Sequence, residues 1–193
     1  MMYKLKTLSL LLFLTTGLFF SAHAQKNTIK TNIPYWFTAT PNLGFEFALG
    51  EKVSLEVSGG FNPFKFGDTK QLKHWVVWPE LRYWPCETYN GHFFGFHAVG
   101  GQYNIGGWDL PIDRLAGLKD RRYEGNALGA GLSYGYQWIL SDRWGLEFTV
   151  GAGYARFNYD VHALGENGQK LGENKKNYFG PTKGALSIVY IIN

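Results

Sequence analysis

Short runs of alternating apolar and small or polar residues, joined by connections that are by turns very short and long, fill this chain from about residue 29 to its end. With 29–37 read as the first strand, the joints fall at 40–42, 50–52, 62–73, 85–91, 105–124, 140–143 and 160–180. From the second joint on, short and long alternate without exception. Strand side chains alternate between two faces. A meander with tight turns at one end and long loops at the other is the pattern of a barrel inserted into an outer membrane from one side. The expected fold is therefore all-β: an eight-stranded antiparallel up-and-down transmembrane β-barrel with short periplasmic turns and long extracellular loops.

The start of the chain supports that location. Lys4 and Lys6 precede a run of mostly Leu and Phe over 8–20, and Ala22-His23-Ala24 forms an A-x-A cleavage site before Gln25. This reads as a signal peptide over 1–24, with the barrel domain over 25–193. The apolar run is shorter than the roughly 20 residues a spanning helix needs. Removing the leader leaves 17 basic against 15 acidic residues, so charge gives no reason to expect nucleic acid as a partner. A single cysteine, Cys86, excludes an internal disulfide framework.

Splitting the strands by parity separates two faces. One carries residues such as Phe45, Phe47, Leu55, Val77, Phe94, Phe96, Leu128, Leu132, Phe148, Val150 and Ile188, without a charge. The other carries Lys30, Glu46, Glu56, Glu80, Arg82, His97, Glu147 and Lys183 among glycines and serines. The charged face must be the interior. A one-residue slip would turn these charges toward lipid, at up to about 2–4 kcal/mol for Arg or Lys at the midplane. Eight strands leave an interior just wide enough for side chains, so the eight polar residues are expected to pair as a plug rather than line a pore. Tyr35, Trp75, Tyr83, Trp138 and Trp144 suit an interfacial aromatic girdle.

The segments at 39–50 (ATPNLGFEFALG), 73–84 (KHWVVWPELRYW), 89–104 (YNGHFFGFHAVGGQYN), 122–138 (RYEGNALGAGLSYGYQW) and 176–192 (KNYFGPTKGALSIVYII) resemble an uncharacterised, domain-of-unknown-function family of small secreted or outer-membrane proteins from Bacteroides-type bacteria. The resemblance covers nearly all of the mature chain. It implies an outer-membrane barrel of OmpA-transmembrane-domain type and a link to fimbrial or surface-adhesion assembly, and it supplies no catalytic residues. The chain departs from many outer-membrane barrels in ending on Asn193 rather than an aromatic residue.

Little in the sequence points to chemistry. His92 and His97 fall on opposite faces of one strand, and no H-x-H or C-x-x-C pair occurs, so no metal is expected. The glycine pairs at 100–101 and 106–107 lack the strand-to-helix setting of phosphate loops, so no cofactor is expected either. Ser133, His97 and Glu147 share the interior parity and are the one trio that a lipid hydrolase could use. Within the loop at 105–124, Trp108, Arg114, Arg121 and Arg122 are candidate contacts for lipopolysaccharide phosphates or a protein partner. The function expected is a non-enzymatic outer-membrane barrel supporting surface structure, adhesion or fimbria-associated assembly through its loops. The alternatives are a lipid-modifying hydrolase and a soluble periplasmic small-ligand barrel. Lipocalin-like barrels reverse the pattern seen here, being apolar inside and polar outside.

Overall fold

The computed structural model describes residues 27–67, 69–109, 111, 117–165 and 168–192. The expected leader therefore lies outside the described residues. Eight antiparallel strands follow one another in chain order: β1 (Asn27–Asn32), β2 (Asn42–Ala48), β3 (Val53–Asn62), β4 (Gln71–Tyr83), β5 (Gly91–Gly106), β6 (Arg121–Ile139), β7 (Trp144–Ala163) and β8 (Lys170–Ile192). Each pairs with the next, and β1 pairs with β8 to close the ring into a barrel. Both described chain ends and the turns β2–β3, β4–β5 and β6–β7 share one end, the turn end. The remaining connections form the loop end.

Two boundaries differ from the sequence reading. The first strand stops at Asn32, and Ile33–Phe37 make one helical turn, α1, with Pro34 in its first turn. Proline has no backbone N–H to donate to a ladder but suits the start of a helix. Tyr35 thus leaves the outer face, and its ring lies 5.9 Å from that of Trp78 at the loop-end mouth. The span read as a loop at 160–180 is mostly strand, because β7 runs to Ala163 and β8 starts at Lys170. Its polar composition reflects solvated faces, not missing structure.

Strand length rises around the ring, from 6 residues in β1 to 23 in β8. The wall is consequently low at β1–β3 and high at β5–β8. β1 reaches β8 only through the pairs Asn27–Ile192 to Asn32–Ser187, so most of β8 has a strand on one side alone. Where the seam opens, the Asn32 side chain takes the place of a strand. Its amide donates to Gly184 O (3.3 Å), and its Oδ1 accepts from Leu186 N (3.1 Å). Asn32→Ala is expected to cost about 1–3 kcal/mol, since it strands both backbone groups. Chemical unfolding of the refolded protein measures this.

Tight curvature demands glycine on the inner face of β6 and β7. A Cβ at Gly153 would sit 2.1 Å from Ala130 O and 2.4 Å from Gly131 Cα, which are backbone atoms that cannot swing away. Gly153→Val should therefore cost about 3 kcal/mol, the upper end of ordinary overpacking. The yield of folded monomer on refolding reads that out.

Candidate functional site

The interior is built in layers. At the turn end the β4–β5 connection folds under the ring, burying Trp84, Tyr89 and Phe93 with Ala48 as the apolar cluster. The Trp84 and Phe93 rings lie 4.7 Å apart, and the Arg82 guanidinium carbon sits 4.2 Å from the Phe93 ring centre. Phe93 has room because Gly135 faces it. Sequence reasoning missed this plug. Trp84 and Phe93 share the parity of Arg82 and His97, which was the available signal, but the neighbouring Phe94 drew the apolar assignment outward.

Above the plug lies the charge network. Register places Glu46, Glu56 and Glu80 side by side on β2, β3 and β4, with His97 next on β5. Like charges directly opposite one another repel, and three cations resolve the conflict. Arg82 donates from Nε to Glu80 (2.7 Å), from Nη1 to Glu46 and Glu147 (both 2.9 Å) and from Nη2 to Glu147 (3.1 Å), and it also pairs with Glu56. Lys30 Nζ donates to Glu46 (2.5 Å) and Glu147 (2.6 Å). Lys183 Nζ reaches Glu80 at 2.7 Å and Glu56 at 3.5 Å. Ser54 links the network downward, donating to Glu46 and accepting from Trp84 Nε1 at 2.8 Å. The structure thus brings Lys30, Glu46, Glu56, Glu80, Arg82, Glu147 and Lys183 into one cluster drawn from β1, β2, β3, β4, β7 and β8. His97 is its neighbour, with Nδ1 3.9 Å from Glu80 and Nε2 2.9 Å from Thr182 Oγ1.

The trio considered for hydrolysis does not form a relay. His97 turns its Nε2 to Thr182, Glu147 is occupied by Arg82, Lys30 and Thr149, and Ser133 Oγ has no hydrogen-bond partner among the described residues.

The interior is not filled throughout. A cavity of about 350 Å³ separates the network (Lys30, Glu56, Lys183) from the Tyr35–Trp78 pair, and Trp78 Nε1 is buried there without a partner among the described residues. Nearer the loop end a wider, open cavity of about 1070 Å³ is lined at a single level by all of β3 to β8, through residues such as Asn62, His74, Tyr103, Gly125, Tyr159 and Asn174.

The outer face carries exposed Phe94, Phe96, Leu128, Leu132, Phe148 and Val150. Trp75 stands at the loop-end limit of this face; Tyr83, Trp138 and Trp144 stand at the turn end, and all four are exposed. Of the loop candidates, Trp108 ties two loops together. Its Nε1 donates to Gln71 O (2.9 Å), and its ring meets Phe66. Arg121 is exposed, Arg122 is buried with Glu124 at 3.8 Å, and Arg114 lies outside the described residues. At the far loop end, hydrogen bonds to Glu173 and then Asp160 hold the Lys170 ammonium above the ordinary lysine range.

No curated protein matches the chain. A family model described as a protein of unknown function, DUF3575, matches residues 9–192, which is nearly the whole length, and the chain therefore belongs to that family.

Proposed function

We propose that this protein is a non-enzymatic outer-membrane β-barrel, exported through a cleaved signal peptide, whose raised β5–β8 wall and loops support surface structure or adhesion. The observation that carries this reading is the inversion of the two faces. Charges are buried at the centre, while large apolar side chains face outward; Leu128 is 70% and Leu132 68% exposed. In water such a continuous apolar band would be an aggregation hazard, whereas in lipid it is the expected exterior. Its height fits: from Trp144 to Tyr154, β7 spans the roughly 9–11 residues that a tilted strand needs to cross a bilayer. Among the described residues no helix is long and apolar enough to cross a membrane.

On this reading the direct partners are outer-membrane lipid and lipopolysaccharide, with a surface or fimbrial protein engaged at the loop end. The test combines location with topology. Protein from isolated outer membranes should change gel mobility on boiling. In intact cells a membrane-impermeant maleimide should label Gln169→Cys, made in a Cys86→Ser background, and should spare the native Cys86, which is exposed at the turn end. Recovery from the soluble periplasm without a mobility shift would overturn the proposal.

A further inference from the structure

The seam between β1 and β8 is treated differently along its length. From Ser187 to Ile192, β8 has β1 as its second neighbour. Over the next stretch toward the loop end, side chains and a proline shield part of the edge. Asn32 satisfies Leu186 N and Gly184 O, Pro181 has no N–H to offer, and the Pro181 carbonyl accepts the Tyr178 hydroxyl at 3.2 Å. Beyond Tyr178 the devices stop. Between Lys170 and Asn177, no backbone group has a partner on the side away from β7 among the described residues.

The change coincides with the end of the apolar band. Tyr154 and Phe179 form the last outward apolar pair, Phe179 being 83% exposed. The next outward pairs are Arg156 with Asn177, Asn158 with Lys175, and Asp160 with Glu173. A free edge in lipid would leave backbone groups unsatisfied at several kcal/mol each, and along the apolar band Asn32, Pro181 and Tyr178 reduce the number of open groups. Past the band the edge carries none of these devices among the described residues.

An open strand edge is a template for another strand. The side chains flanking this one restrict what can pair. Lys170 is engaged by Asp160 (3.0 Å) and Glu173. Lys175 and Lys176 point to opposite faces of β8, and neither has an ion pair among the described residues. Lysine on an edge repels basic and purely apolar strands, but opposite an acidic residue it forms a favourable cross-strand pair.

We propose that the β8 edge from Lys170 to Asn177 is a docking site for an extended acidic segment of a partner protein, which adds to the sheet as a ninth strand with carboxylates opposite Lys175 and Lys176. At about 3.4 Å per residue the edge is roughly 27 Å long, so the segment is about eight residues. This deepens the surface-contact reading above and rests on it for the identity of the partner, but not for the pairing itself.

The experiment uses the full mature protein refolded in detergent. The probe is a fluorescent ten-residue peptide of alternating threonine and valine with two adjacent glutamates at its centre. Anisotropy should show saturable binding, weakened at least tenfold in three comparisons: when lysines replace the glutamates, when the peptide's alternate amides are N-methylated on the pairing edge, and in the K175E/K176E protein. Amide exchange over 170–177 should slow in the complex. The N-methylated peptide keeps its charge and leaves the protein untouched, so equal binding of that peptide means simple charge attraction and overturns the proposal. Equal binding of the acidic and basic peptides overturns it as well. A heat-shifting membrane protein that binds no peptide sinks the edge proposal alone. A protein that binds the peptide but lacks the shift sinks the membrane reading alone.

Discussion

Replacing Arg82 with methionine is expected to abolish the folded barrel. Among the described residues Arg82 is the one side chain that contacts all four carboxylates of the network. Without it the cations left to Glu46, Glu56, Glu80 and Glu147 among the described residues are Lys30 and Lys183, and Glu46 and Glu147 keep Lys30 alone as a cation beside the hydroxyls of Ser54 and Thr149. Removing one partner of a buried pair costs about 3–5 kcal/mol, because the other charge stays buried and uncompensated. Here four such charges are affected, and the whole stability of a domain is about 5–15 kcal/mol. Urea titration of vesicle-refolded protein, followed by tryptophan fluorescence, should show no cooperative transition for Arg82→Met. Adding Glu147→Gln to Arg82→Met should restore part of the transition, since the two side chains share two hydrogen bonds. Equal stability of single and double variants would mean that the network does not act as a unit. Arg82→Lys should fall between, because an ammonium keeps the charge but not the planar fork that reaches several carboxylates together.

How much of this was legible in the sequence depends on the kind of information each feature needs. Parity was enough to turn Glu46, Glu56, Glu80, Arg82, Glu147 and Lys183 to one side, because the side-chain period of a strand is local. That Glu46, Glu56 and Glu80 stand in one row is not local. It depends on the register of two hairpins, which the turns at 49–52 and the loop at 63–70 set together. Pro34 carried a readable signal against a strand, and α1 is the outcome. The extension of β8 was hidden for the opposite reason. Lys170 to Asn177 are polar on both faces, as a loop is, and only their pairing with β7 shows that they are a strand. The seam closure by Asn32 was out of reach, since nothing near residue 32 announces a partner at residues 184 and 186.

The second large effect tests the outer face directly. Val150 lies between Trp144 and Tyr154 on β7, points outward and is 44% exposed, so on the membrane reading it is near mid-depth. Val150→Arg should cost about 2–4 kcal/mol in vesicle-refolded protein, because the guanidinium would sit in hydrocarbon. Asn126→Arg is the matched control. Asn126 is exposed on the same face, in the row that joins Gln102 to Trp75, where the apolar band has ended. There the cost should fall to about 0–1 kcal/mol. The difference between the two positions carries the argument. Both arginines replace outward side chains on regular strands, so a soluble barrel would tolerate them alike and would gain solubility from Val150→Arg. A steep dependence on depth is the signature of lipid, since nothing in the fold itself separates the two sites by that amount. If both variants unfold at the wild-type urea concentration, the apolar band meets something other than a bilayer, and the contact surface of this protein would be the band itself rather than the raised wall above it.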